Sequence, residues 1–414
     1  MSTRTRSRLI CLSATIVLTF TSGAVQAQHE VSGGSTMGGG TVGGSTGRPS
    51  SKPATKPVIK PSTKPANKPT VSSTLPPRNR TTPAAPPVRR PTTRTPGADD
   101  YVKQADQFYD AKNYKDALEA YQKAVQLNPT IANAQYRIGW IYNDLEEYND
   151  AIDPLKRATS LQPNNSAAFY ELGYSFRKLD RYPEALLAYN QAVRIRPDYA
   201  SAHYDIGWIY NDQKNYDDAV KSLKLALQAR AAYPEAHSEL GYSLRNLGRY
   251  SEAVEEYQEA IRLKPDMGLA HLGLGDVYYY NTKQYGDAIK AYKEGLRLRP
   301  DSATAFFNLA WCYNDADRYN EAIQALTQAI RLKPEYAEAH NELGYSYHQS
   351  GRYAEAIQEY QMAIRQKTDY AAAHYNLGLS YVAMRNRMGA MEQYRVLQRI
   401  DTGRATRLFN QIPK

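Results

Sequence analysis

The chain has 414 residues, with 52 Lys and Arg against 42 Asp and Glu, and two cysteines. The formal net charge of +10 is not spread evenly: residues 28–98 hold eleven Lys and Arg and one acid, whereas 99–414 hold 38 and 41, a balance of −3. The basic balance therefore belongs to residues 28–98 and not to the larger part, and two cysteines exclude a disulfide-stapled scaffold.

The first 27 residues read as a leader. Arg4, Arg6 and Arg8 are followed by an apolar run, Leu9–Phe20, and by Val25-Gln26-Ala27, with cleavage expected after Ala27. The run is short for a bilayer span. An exported protein, periplasmic or at the cell surface, with no transmembrane segment after cleavage is therefore expected. Cys11 is lost with the leader. Cys312, beside Trp311 in a helical pattern, reads as a small buried side chain.

Residues 28–97 lack the apolar surface to form a core. Gly and Ser dominate 33–47, and then Lys52, Lys56, Lys60, Lys64 and Lys68 are each followed by proline. A disordered arm is expected, floppy first and then an extended cationic spacer. Such an arm suits an anionic cell-wall polymer, a membrane surface or nucleic acid, and equally a plain spacer; no specific nucleic-acid recognition is expected.

From residue 98 the sequence repeats. Gly139, Gly173, Gly207, Gly241 and Gly275 fall 34 apart, and after one inserted residue near 281–284 the register resumes at Ala310, Gly344 and Gly378. Prolines 129, 163, 197, 265, 300 and 334 and a nine-membered alanine series from Ala117 to Ala390 agree with it. Each repeat predicts two helices. In Ala132–Pro163, Gln135, Ile138, Gly139 and Tyr142 share one face of the first. A turn follows near Glu146, and Tyr148, Ala151, Ile152, Leu155 and Ala158 pattern the second until Pro163 stops it. One hairpin of this size is marginal in water, so stacked neighbours must complete the core. The spacing gives nine repeats over 98–403 and a segment, 404–414, whose Leu408, Phe409 and Ile412 would cap the end.

The motif read across Leu343–Ala363 and Ala329–Pro334, LGYS…GRYxEAIxxYxxAIRLKP, resembles the tetratricopeptide repeat (TPR) signature. The resemblance covers about three-quarters of the chain. It implies an all-α, right-handed superhelical solenoid with a concave groove lined by first helices, and a binding or scaffolding role rather than catalysis.

All three tryptophans lie in one recurring heptapeptide: IGWIYND at 138–144 and 206–212, LAWCYND at 309–315. Beside the packing face, Tyr136, Trp140 and Asn143 share a second face. The equivalent positions are Tyr170, Tyr174 and Arg177; Tyr204, Trp208 and Asn211; Ser238, Tyr242 and Arg245; Leu272, Asp276 and Tyr279; Phe307, Trp311 and Asn314; Asn341, Tyr345 and His348. Trp/Asn repeats alternate with Tyr/Arg repeats over the first four. Aromatics and arginine dominate interface energetics. The aromatic members are expected to anchor an extended segment of a protein partner, with Asn143, Asn211, Asn314, Arg177 and Arg245 supplying polar specificity and His348 a pH-dependent contact. Rings and amides also suit a polysaccharide, and the same rings would serve as packing between first helices. A further alternative is end-to-end homo-oligomerisation through Met388, Met391 and Leu408.

Two residues before each marker, where some TPR superhelices carry an asparagine ladder, the chain reads Arg137, Glu171, Asp205, Glu239, Gly273, Asn308, Glu342 and Asn376, so that ladder is mostly absent. His203, His237, His271, His340 and His374 each precede the marker by four. One per repeat is too sparse to converge on an ion, so they read as packing, and no metal, cofactor or catalytic constellation is expected.

Overall fold

The computed structural model describes residues 95–413. The leader and the glycine-rich and Lys-Pro segments, up to residue 94, lie outside the described residues. Among those described, no helix is long and apolar enough to cross a membrane.

Among the described residues, nine helical hairpins follow one another. They are α1 (Ala98–Asp110) with α2 (Tyr114–Leu127), α3 (Ala132–Asp144) with α4 (Tyr148–Leu161), and α5 (Ser166–Lys178) with α6 (Tyr182–Ile195). Next come α7 (Ala200–Asp212) with α8 (Tyr216–Ala229), α9 (Pro234–Asn246) with α10 (Tyr250–Leu263), and α11 (Gly268–Asp276) with α12 (Tyr285–Leu298). The series ends with α13 (Ala303–Asp315) and α14 (Tyr319–Leu332), α15 (Ala337–Gln349) and α16 (Tyr353–Gln366), α17 (Ala371–Ala383) and α18 (Arg387–Ile400), then a single helix α19 (Thr402–Phe409). Odd-numbered helices up to α17 are first (A) helices and even-numbered ones second (B) helices. Each B helix packs on its own A helix and on the next one, and successive A helices also touch. This is the all-α stack of two-helix repeats that the spacing implied.

The reasons are local. The alanine series is fully buried, from Ala117 through Ala219 to Ala390, because the two helices of a hairpin meet there. At the marker the approach is tighter: a β-carbon on Gly173 would stand 2.7 Å from the Tyr189 ring. Each B helix ends at a residue that turns extended, as at Arg196 (φ −127°, ψ 92°); in six of the nine a following proline disfavours the helical conformation there. Each A helix ends in a left-handed residue, for example Glu146 (φ 62°), Lys214 (φ 59°) and Gly248 (φ 76°). The next amide then reaches back to the last turn, as Glu147 N–H does to the Tyr142 carbonyl (2.8 Å).

The inserted residue is absorbed inside the sixth hairpin rather than in its loop. α11 runs on as a π-helical turn, Val277–Asn281, and the closing bond spans one residue more, from Gln284 N–H to the Tyr278 carbonyl (2.9 Å).

At the end of the stack, Leu408 and Ile412 of the final segment are buried. Leu408 fills the place facing Gly378, where a β-carbon would lie 2.4 Å from it. In other repeats a B-helix Tyr or Leu sits there. The corresponding Tyr394 instead stacks on Phe409, ring centroids 5.0 Å apart. Leu408 is thus turned into the fold and not offered for end-to-end stacking, while Met388 stays 84 % exposed.

Candidate partner-binding face

The face of interest is the one the A helices share. Trp140, Trp208 and Trp311 are each half-buried, as are Tyr136, Tyr170, Tyr174, Tyr204, Tyr242 and Tyr345. Tyrosine opens eight of the nine B helices, and several of these rings meet the aromatic residue of the following A helix edge to face. The pairs are Tyr114–Trp140 (5.5 Å, 69°), Tyr148–Tyr174 (6.1 Å, 71°), Tyr182–Trp208 (6.3 Å, 77°), Tyr216–Tyr242 (6.0 Å, 72°) and Tyr319–Tyr345 (6.5 Å, 75°). Edge-to-face geometry at these separations is the favoured one for aromatic rings. The face is therefore a ladder of aromatic pairs, one per junction over much of its length. The sequence reading caught only the A-helix half; the tyrosine recurring at the start of each B helix was the signal for the rest.

A second set of rings closes the loops between repeats. Tyr170 stacks on Tyr199 (4.9 Å), Tyr204 on Tyr233 (5.0 Å) and Phe307 on Tyr336 (4.9 Å). Each loop tyrosine also carries a cation over its ring: Arg196 at 3.4 Å, Arg230 at 3.4 Å and Lys333 at 4.5 Å. Phe307 is buried in its stack, so it supplies no contact area, contrary to expectation.

The asparagines need a larger correction. Asn143, Asn211 and Asn314 are buried and bonded across the junction to the next repeat. Asn143 Nδ2 donates to the Glu171 carbonyl (3.0 Å) and carboxylate (2.9 Å), and Ser175 Oγ donates to Asn143 Oδ1 (2.7 Å). Asn211 repeats this with Glu239 (3.1 and 2.9 Å) and Ser243 (2.6 Å). Ser346 donates to Asn314 Oδ1 (2.8 Å). The Asn143 and Asn211 amides, so engaged, have nothing left for a ligand, and Asn314 is buried away from one. The partners could have been read from ELGYS, which recurs at 171–175, 239–243 and 342–346, each following a Trp heptapeptide.

The arginines are also spoken for. Arg177 Nε stands 3.5 Å from Asp205, and Arg245 is paired with Asp276. Asp276 further accepts from Tyr292 Oη (2.6 Å) and Asn308 Nδ2 (3.2 Å). The 68-residue period therefore marks two alternating junction chemistries, Asn to Glu/Ser and Arg to Asp. His348 is half-buried and shares a hydrogen bond with Ser380 Oγ (2.8 Å); burial holds its pKa below the ordinary value.

The acids at these junctions titrate abnormally. Burial pushes Glu171 and Glu342 up to about 7, against the opposing hydrogen bonds from Asn143 and Asn341, and it raises Glu239 and Asp205 as well. The five series histidines tie loop to hairpin. His203 reaches the Pro197 carbonyl (2.8 Å), and His374 reaches the Thr368 carbonyl (3.0 Å) and Gln393 (2.7 Å). No group of His, Cys, Asp and Glu among the described residues is arranged to hold a metal ion. Cys312 is fully buried, and burial pushes its thiol pKa up.

A TPR-repeat family model matches residues 173–213, 241–281, 279–311, 312–351 and 344–384, and two tetratricopeptide-repeat models match 102–166 and 200–233. No curated protein matches the chain in sequence. Among solved structures, YrrB, described as a TPR protein with an unusual peptide-binding site, aligns at 21% identity over 46% of this chain and 99% of its own, TM-score 0.44. MamA aligns at 28% identity over 40% and 97%, TM-score 0.39. The C-terminal part of a TPR protein from Cytophaga hutchinsonii aligns at 20% identity over 58% and 99%, TM-score 0.48. With helix pairs, marker contacts and family matches in agreement from residue 102 to 384, the chain belongs to the tetratricopeptide-repeat family.

Proposed function

We propose that this protein is a non-catalytic interaction scaffold of the cell envelope that holds an extended segment of a protein partner along its A-helix face. The observation carrying this reading is the ladder of half-buried aromatic pairs, each assembled from two successive repeats. Rings held rigidly by neighbours lose little conformational entropy on binding, which is what an interface anchor requires. Trp140, Trp208 and Trp311 are the anchors, and Tyr174, Tyr242 and Tyr345 extend the surface. Asn143, Asn211, Asn314, Arg177 and Arg245 set the spacing between repeats rather than touching the partner. The placement in the envelope rests on the leader, Arg4 to Ala27, and the basic segment 28–97 adds contact with anionic wall polymer. Polysaccharide in the same face is the weaker reading, because the amide and guanidinium groups that would bond sugar hydroxyls are engaged internally.

The test is affinity capture from envelope extract with the full chain and with a variant carrying Trp140→Ala, Trp208→Ala and Trp311→Ala, both checked for folding by circular dichroism. A protein retained by the first and lost by the second supports the reading. Identical captures by two folded baits would overturn it.

A further inference from the structure

The three Trp sites are not equivalent. At the first, the Arg137 guanidinium lies over Tyr109 (4.2 Å), whose ring packs on Trp140 (5.2 Å). At the second, the Arg177 guanidinium lies over the Trp208 ring itself (5.0 Å). The neighbouring Tyr174 and Tyr242 are likewise approached by Arg177 (5.4 Å) and Arg245 (5.3 Å). These faces already carry cations from the chain.

The third site is different. The π-helical turn Val277–Asn281 sets Tyr279 and Tyr280 side by side (4.7 Å, 77°) against Trp311 (6.2 and 6.3 Å). Among the described residues, no Lys or Arg lies over any of these three rings. Tyr280 packs against these two rings and is still 48% exposed. Asp315 lies at the edge of the cluster, exposed, accepting from Tyr279 Oη (3.0 Å). No ion pair among the described residues engages it, whereas the nearby Asp276 is balanced by Arg245. Asn308 accepts from Tyr280 Oη (3.1 Å) and fixes that ring's outward position. π-turns inside helices are found often at functional sites, because the extra residue re-aims side chains.

We infer that Tyr279, Tyr280, Trp311 and Asp315 form a subsite for a basic side chain, lysine or arginine, of the bound partner segment. The inference rests on the A-helix face being the binding face, and it adds the ligand class at one position of it. The ring faces attract a cation electrostatically, and an unpaired carboxylate beside them adds to the attraction and rejects acidic side chains. The first two Trp sites, already furnished with Arg137 and Arg177, select against a second cation. The partner segment is thus read with one basic position opposite the sixth and seventh repeats.

The experiment uses the full chain, ¹⁵N-labelled, with the three indole N–H resonances assigned by single Trp→Phe variants. It is titrated with Nα-acetyl-lysine amide, with the neutral isostere Nα-acetyl-norleucine amide, and with Nα-acetyl-glutamate amide. The expected result is a saturable shift of the Trp311 indole with the lysine derivative only, with shifts at Trp140 and Trp208 several-fold smaller. Asp315→Asn, at an exposed position, should weaken the lysine derivative about 3- to 10-fold. Tyr280→Ala should weaken it at least as much. Equal shifts with norleucine, equal shifts at all three indoles, or unchanged binding in both variants would each overturn the subsite. Because small probes report on this cluster alone, a negative result here leaves the capture experiment to decide the wider face, and the reverse also holds.

Discussion

Trp208 and Trp311 stand in nearly the same heptapeptide, yet their surroundings have diverged. Around Trp208 the Asn211 amide is fully used, bonded to the Glu239 carbonyl, to its carboxylate and to Ser243. Around Trp311 the residue before the junction acid is Asn341, and it takes the Glu342 carboxylate for itself (Asn341 Nδ2 to Oε1, 3.2 Å). Asn314 Nδ2 and Trp311 Nε1 are then left buried near Glu342 without a well-formed hydrogen bond. One substitution, Asn341 where the earlier copies have Tyr170 and Ser238, has loosened a junction that elsewhere is closed. The same motif thus serves as a rigid joint in one half and borders an open aromatic cluster in the other.

That contrast is most exposed to refutation by removing the amides. Asn211→Ala removes the donor to the Glu239 carboxylate and leaves the Ser243 hydroxyl only the Glu239 carbonyl to bond (2.9 Å). Leaving a buried polar group unpaired costs about 1–3 kcal/mol, so a loss of roughly 2–3 kcal/mol is expected. Asn314→Ala loses only the bond from Ser346, and about 1 kcal/mol is expected. The comparison should be read by native-state hydrogen exchange in α9 and in α15, because a nine-repeat stack need not unfold as one unit. Equal losses would mean the two junctions are energetically alike.

The junction acids offer a second comparison. Glu171 and Glu342, held at about 7 by burial, bind a proton in the folded chain that they have released in the unfolded one between the ordinary carboxylate value and pH 7. The folded state therefore binds more protons across that window, and stability falls as pH rises through it, the loss being complete above about 7. Glu239 and Asp205 act in the same sense. His237 does too: although burial pulls it down, the hydrogen bond with Glu256 prevails and its pKa is raised, so its contribution disappears as pH rises past its folded pKa. His348 works oppositely, losing stability as pH falls through the ordinary histidine range. Urea unfolding midpoints should be higher at pH 5.5 than at pH 8. Glu342→Gln should flatten this slope while Glu355→Gln, on an exposed salt bridge, should not; a midpoint that rises with pH would refute the assignment.

Much of the fold was legible because it rests on size and spacing. Gly173 and Ala185 are small where helices meet, and Pro197 stops a helix by its own covalent geometry, so a 34-residue count places all of them. The role of the second A-helix face was legible only in part. Helical count puts Trp140 and Tyr174 on it, but the pattern of one repeat cannot say that Asn143 reaches Glu171 or that Arg177 reaches Asp205, since these contacts join residues 28 apart across a junction. A polar residue on a helical face looks the same in sequence whether water or a neighbouring repeat satisfies it. The acids two residues before the marker were noticed only for not being asparagine. The repeat count places the inserted residue only near 281–284, and the structure absorbs it in the π-helical turn Val277–Asn281, where Tyr279 and Tyr280 pack against Trp311.

The smallest effect probes whether the π-turn stores strain in its hairpin. Lys214 ends a regular A helix in the left-handed region (φ 59°), and Lys283 does so after the π-turn (φ 55°). Both closing amides are bonded, Asn215 N–H to the Tyr210 carbonyl at 2.8 Å and Gln284 N–H to the Tyr278 carbonyl at 2.9 Å. A side chain in this region costs about 1–2 kcal/mol, of which glycine's extra unfolded-state entropy cancels part. Lys214→Gly and Lys283→Gly should each raise the unfolding midpoint slightly, by about 0.5–1 kcal/mol, and Gly248→Ala should lower it by about 1 kcal/mol. Equal gains at 214 and 283 mean the extra residue is accommodated wholly within the π-turn. A gain at 283 well above that at 214 would place strain in the turn itself, and the exposed aromatic cluster would then sit on the least stable hairpin of the stack.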